Sequence, residues 1–279
     1  MTGLATAAPQ TPAPAPAPSA TATATVLTET APAEVHAFIE ALGSADPGAL
    51  TACPGRTVHQ LGAHLAGNCR EIALHVEAYL AGRPLTRTRA FDEREPEFRV
   101  MSAPQLLQSI VDGEQRMRTG LGELLAREED PLLRWTSRQV HAAGFLKHSR
   151  SECAVHRWDI VGDDEVSERL LSQPELFEHV VAFLGALPMM ARGLATGAGT
   201  GSPLRARVRA PGQHDLLVAV HRGMPRMVSV EPDGEALVEG DAAARLLFLW
   251  GRRPVPFGRL RCNGTAEELS RLQWLLSGY

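Results

Sequence analysis

Between Ala33 and Gly162, apolar side chains recur every three or four residues in four successive stretches, a pattern that requires each of four helices to bury one face. The first, AEVHAFIEAL, is closed by Gly43 and the turn signal Asp46-Pro47-Gly48. The second, TVHQLGAHLAGNCREIALHVEAYLAG, opens on Thr57 as N-cap and keeps apolar residues at 58, 61, 65, 72, 76 and 80, before Gly82 and Pro84 end it. Pro104 starts the third, where Leu106, Ile110, Met117, Leu121 and Leu124 form a stripe that outweighs Gly113 and Gly120. The polar, Arg- and Glu-rich segment before it reads as a connection, and the residues after Pro131 and Trp135 read as a loop. The fourth stretch, GFLKHSRSECAVHRWDIVG, ends at Gly162. Amphipathic helices joined by short and longer connections predict a four-helix bundle.

Beyond Asp164 the pattern changes. PELFEHVVAFLGAL predicts a connecting helix, and ATGAGTGSP at 195–203 a Gly-rich linker. LRARVRA, DLLVAV, RMVSV and EALVEG are short β-like runs separated by turn signals, which predicts meandering antiparallel strands. DAAARLLFLWGR reads as a helix capped by Asp241, GRLRCNG as a last strand, and TAEELSRLQWLLSG as a final helix with Thr265 and Glu268 as a capping box. The expected fold is α+β: a helical bundle over 33–165, then a small α+β unit with its connecting helix over 166–279. Residues 2–32 are almost entirely Ala, Pro and Thr, which favours solvated extended backbone, so 1–32 is expected to be a disordered tail.

Charge excludes some functions. The formal net charge is −4 and basic residues are interspersed with acidic ones, so a nucleic-acid partner is not expected. The longest apolar run, from Val180, is too short to span a bilayer. No Lys or Arg precedes Arg56, so neither a secretory nor a mitochondrial leader is read and a cytoplasmic location is expected. Cys53, Cys69, Cys153 and Cys262 form no C-x-x-C pair and are expected to be reduced, mostly structural thiols.

Glu152 and His156 lie four apart on the fourth helix, about 40° and about 6 Å of rise from one another, so both can reach one ion. The spacing does not decide, because Glu71 with His75 and Glu175 with His179 share it. His148 lies on the same stripe, but three successive turns are too long for their end residues to share a metal at about 2 Å. A third ligand would come from another helix, with His59, His64 and His75 as the candidates on the second. Asp159 can orient His156 or face water at the helix end.

QLGAHLAGNCREI, with its histidine in an A-H-L-A-G-N setting, and RSECAVHRWD resemble the two metal-binding segments of mycothiol-dependent maleylpyruvate isomerases, within the DinB-like four-helix-bundle superfamily. LFLWGRRP and GRLRCNGTAEELSRL resemble that family's sterol-carrier-like C-terminal module. The resemblance implies zinc, or another divalent metal, held by His64, Glu152 and His156, with mycothiol as the thiol. It also implies a small electrophilic substrate and either cis–trans isomerisation or S-transfer. Arg252 resembles the arginine of the second module that faces the active site, and with Arg150 is the expected contact for an anionic group on thiol or substrate, since a guanidinium fork bonds both oxygens of a carboxylate. Cys153 is expected to pack into the bundle. A metal-dependent hydrolase on the same bundle and a non-catalytic small-ligand binding protein are the other readings.

Overall fold

A computed structural model describes residues 31–127, 129–136, 138–185, 204–221, 224–252 and 259–276. Nearly all of the predicted tail and the linker at 195–203 lie outside these residues.

The bundle consists of α1 (Ala33–Ser44), α2 (Val58–Leu80), α5 (Ala103–Ala126) and α6 (Ala142–Val161), with two short helices, α3 (Phe91–Arg94) and α4 (Pro96–Arg99), between α2 and α5. α2 packs along α5, and α1 along α6. Thr57 begins α2 as expected: its side chain accepts from Gln60 N, while Gln60 Oε1 accepts from Thr57 N at 2.9 Å. The glycines that weaken α5 have a packing reason. A Cβ at Gly113 would stand 3.3 Å from Cys69 Cβ, and one at Gly120 3.0 Å from Val76 Cγ1, so small residues let α5 approach α2 closely. The predicted stripe is the core: Leu106, Ile110, Met117, Leu121 and Leu124 are all buried.

Two stretches expected to be irregular are ordered. Pro96 at the start of α4 and the α3 turn before it fold the Arg- and Glu-rich connection back onto α2. The residues expected to form a loop before α6 form an antiparallel hairpin, β1 (Leu132–Trp135) with β2 (Arg138–His141), fixed by burial of Leu133 and Trp135.

After α6 come α7 (Glu165–Leu171) and α8 (Pro174–Gly185), then β3 (Leu204–Arg209), β4 (Asp215–His221), β5 (Met224–Val230), β6 (Val238–Gly240), α9 (Ala242–Leu249), β7 (Leu260–Cys262) and α10 (Ala266–Leu276). The sheet order is β5-β4-β3-β6-β7. The meander holds from β3 to β5, but β6 pairs with β3 in parallel, Val208 opposite Val238, so the chain crosses the sheet instead of adding a fourth antiparallel neighbour. Both predicted caps form, Asp241 accepting from Ala244 N at 2.8 Å and Thr265 pairing with Glu268. The helical N-terminal part and the C-terminal sheet are the α+β architecture read from the sequence. One apolar cluster runs from Ala154, Val155 and Trp158 at the end of α6 into the sheet and α9, which docks the start of the segment after α9 against α6. No described helix is long and apolar enough to cross a membrane.

Candidate metal centre

His64 on α2 and Glu152 and His156 on α6 converge, one ligand atom from each lying within 4.8 Å of the others. Glu152 Oε2 is 3.3 Å from His64 Nε2 and 3.6 Å from His156 Nε2. Donors about 2.0–2.1 Å from a tetrahedral ion stand about 3.3–3.4 Å apart, so the spacing is that of a chelate edge.

The far nitrogens of both rings are committed. His64 Nδ1 lies 2.8 Å from Glu95 Oε1 and His156 Nδ1 2.8 Å from Asp159 Oδ2. A carboxylate can only accept, so each Nδ1 carries the proton and each Nε2 turns a lone pair inward. Burial opposes the charge on Glu95, but His64 and Arg99 outweigh it and hold this carboxyl at about 2. Asp159 is likewise lowered against burial by His156 and Arg252. Glu152 is held well below the usual carboxylate range, its own burial being overcome by His156 and His64. Burial pushes the His156 imidazole down, but Asp159 and Glu152 overcome it and raise its pKa. Asn68 completes the frame: its Nδ2 is 3.1 Å from both Glu152 Oε2 and His64 Nε2, and its Oδ1 accepts from Arg94 Nη2 at 2.6 Å, which fixes the amide. Two imidazoles with Nε2 turned inward, one carboxylate and an oriented outer layer suit a divalent ion of the zinc type.

The site opens into a cavity of about 1040 Å3. Phe91, Trp135, Phe183 and Trp250 supply apolar wall, and Arg56, Arg87, Arg89, Arg94, Arg134, Arg138 and Arg252 line it with Glu152 as the only acidic lining residue among those described. Cys53, expected to be a structural thiol, also lines it; burial, partly opposed by Arg252, raises its pKa and keeps it protonated near neutrality.

The other candidates fall elsewhere. His59 bonds the Arg99 carbonyl at 3.2 Å on the surface. His75 is buried beside Glu71, whose carboxylate accepts from Arg89 N and Nε, so this E-x-x-x-H pair belongs to a different contact. Glu175 reaches Arg150, while its partner His179 turns to His148, with His179 Nε2 3.4 Å from His148 Nδ1. Arg150 departs from the expected cofactor contact: its guanidinium bonds Glu34 at 2.8 Å and reaches Glu175, tying α6 to α1 and α8, and it is not among the cavity-lining residues. Arg252 does line the cavity, with Nε and Nη2 on Asp159 at 3.1 and 2.8 Å and Nη1 on the Trp250 carbonyl. Asp159 faces His156, not water. Cys153 is buried in the bundle core as expected. Glu95 and Asn68 went unread: Glu95 lies in an acidic, exposed-looking segment, and Asn68 had only its place one turn after His64 as a signal.

Residues 28–161 match the family described as the mycothiol maleylpyruvate isomerase N-terminal domain. The match covers a little under half of the chain, its helical N-terminal part. In fold the chain is similar to the crystal structures of the mycothiol-dependent maleylpyruvate isomerase and of a histidine-to-alanine mutant of it, each with 13% identity, a TM-score of 0.58, and 89% of this chain and 95% of that one covered. No curated protein matches the sequence. The matched segment contains α1 to α6, and hence His64, Glu95, Glu152, His156 and Asp159, while Arg252 enters from the C-terminal part.

Proposed function

We propose that this is a metal-dependent enzyme that uses mycothiol on a small electrophilic substrate, with zinc held by His64, Glu152 and His156. The observation that carries the reading is the pair of histidines, each with a carboxylate on Nδ1 and its Nε2 turned toward Glu152. Three donors leave a coordination position open toward the cavity, the pattern of a catalytic rather than a closed structural site. Held by these residues, zinc would supply Lewis acidity that lowers the pKa of a thiol bound there.

The chain's own residues set the conditions for that chemistry. Glu95 and Asp159 hold the two rings in the binding tautomer, and Arg252 acts through Asp159 to fix His156 from the C-terminal side. Asn68 orients Glu152 and keeps a donor beside the open position. Phe91, Trp135 and Trp250 narrow the water-accessible space. A cavity of about 1040 Å3 accommodates a sugar-sized thiol together with a small second reactant. Addition of sulfur to an activated double bond followed by rotation and elimination gives cis–trans isomerisation, and displacement of a leaving group gives S-transfer.

The test combines metal analysis with turnover. Natively purified protein should hold one zinc per chain, His64→Ala and His156→Ala should lose it, and His75→Ala should keep it. Maleylpyruvate and an aryl halide assayed with and without mycothiol separate isomerisation from transfer. Full turnover of either without any thiol would defeat the reading and favour a hydrolase.

A further inference from the structure

Arg94 is a guanidinium without a counter-ion at hydrogen-bonding distance. It is 2% exposed, lines the cavity, and forms no ion pair among the described residues; Nη1 donates to the Arg89 carbonyl at 3.2 Å, Nη2 to Asn68 Oδ1, and Nε has no partner. Its plane lies 4.7 Å from the Phe91 ring centre and 5.1 Å from that of Trp135, which supplies part of what water would. Burial lowers its pKa, with Glu71 and Glu95 opposing from a distance. A buried cation held only by neutral acceptors and ring faces is the arrangement that an arriving anion completes.

The surroundings repeat this polarity. Trp135 packs edge-on against His148 at 5.7 Å, His148 stacks on Phe183 at 4.6 Å, and Arg138 Cζ lies 3.5 Å from the centre of the Phe183 ring. Arg94, Trp135, Arg138, His148 and Phe183 all line the cavity. His148 turns Nδ1 to His179, and burial holds it neutral, its pKa being down at about 4. Arg252, the arginine expected to receive an anion, already spends Nε and Nη2 on Asp159.

We propose that Arg94, Arg138, Trp135, Phe183 and His148 form an anion subsite that receives a carboxylate, one helical turn from Glu152, so that the accepted electrophile carries a carboxylate at the end remote from the attacked carbon. The substrate class rests on the thiol-dependent function proposed above, whereas the subsite itself does not. Its aromatic side chains wall the pocket, and its two guanidiniums meet the charge.

Trifluoroacetate, followed by 19F line width, probes the subsite directly, with trifluoroacetamide as the uncharged counterpart. Wild-type protein should bind the anion and not the amide. Arg94→Gln should weaken binding at least tenfold, Arg94→Lys less, and His64→Ala, which disables the metal ligands, should leave it within twofold. If Arg94→Gln does not fold, Arg138→Gln should still weaken binding at least threefold. Unchanged binding in a folded Arg94→Gln, or an equal loss in Asn68→Ala, would overturn the subsite, the latter by showing that Arg94 only props Asn68. Turnover of 4-chloro-3-nitrobenzoate against the corresponding benzamide, with mycothiol, tests whether the anion is borne by the substrate. Preference for the benzoate should disappear in Arg94→Gln, and no preference in wild type would reduce the subsite to a free-anion site and overturn the substrate class. Absence of mycothiol-dependent turnover with either compound, and with maleylpyruvate, would instead defeat the functional reading, while the trifluoroacetate titration still decides the subsite.

Discussion

Replacing Asp159 by Asn isolates the outer layer of the candidate metal centre. The Asp159 side chain is fully buried, accepts from His156 Nδ1 at 2.8 Å and carries both ends of the Arg252 fork at 3.1 and 2.8 Å. An amide of the same shape offers one acceptor and turns a donor toward either the imidazole or the guanidinium, so one of the two contacts is lost. Loss of a carboxylate behind a ligating histidine costs roughly 10–100-fold in metal affinity, or about 1.4–2.7 kcal/mol. Arg252, 10% exposed at its side chain, is left beside a neutral group. Removing one partner of such a buried pair costs about 3–5 kcal/mol, so the metal-free protein should lose about 3 kcal/mol of stability. Competition with a chromophoric chelator measures the first quantity and urea unfolding of metal-free protein the second. A metal dissociation constant within about twofold of wild type, with stability within about 0.5 kcal/mol, would refute the reasoning.

Glu95→Gln should weaken metal binding to a similar extent through His64, and chelator competition checks it. Arg150→Ala breaks the tie to Glu34 and should cost about 1–3 kcal/mol of stability in a denaturant titration while leaving mycothiol affinity unchanged. Burial holds His148 at about 4 and His179 at about 3, below the ordinary 6.5, so as pH falls from 6.5 to 4 the unfolded chain takes up protons that the folded chain refuses. The thermal midpoint of metal-free protein should therefore fall across that window, before Glu95 at about 2 begins to protonate; a flat profile from pH 7 to 4.5 would contradict it.

The bundle helices were legible because each buries a stripe that its own spacing displays, and the caps at Thr57, Asp241 and Thr265 were legible because capping is local. The parallel pairing of β3 with β6 was not, since it joins segments whose adjacency depends on the crossover between them. At the centre, three E-x-x-x-H pairs were equal by spacing. What separates them is the partner brought by another element: His64 and Asn68 to Glu152, Arg89 to Glu71, and Arg150 to Glu175. The family resemblance supplied His64, which periodicity alone left level with His59 and His75. Glu95 was hidden for a different reason: FDEREPEFR reads as a solvated polar turn, and only the folding back of α3 and α4 onto α2 buries one of its carboxylates. Arg150 stands two positions before Glu152, which puts it about 160° away around the helix axis, bonded to Glu34 on α1.

X-ray absorption at the zinc edge, on natively purified protein before and after addition of mycothiol, tests the central claim most directly. The account predicts two nitrogens and carboxylate oxygen at about 2.0–2.2 Å in both samples, with a sulfur at about 2.3 Å appearing only when mycothiol is present. Protein that carries no metal, or a zinc shell that gains no sulfur from mycothiol, would contradict it.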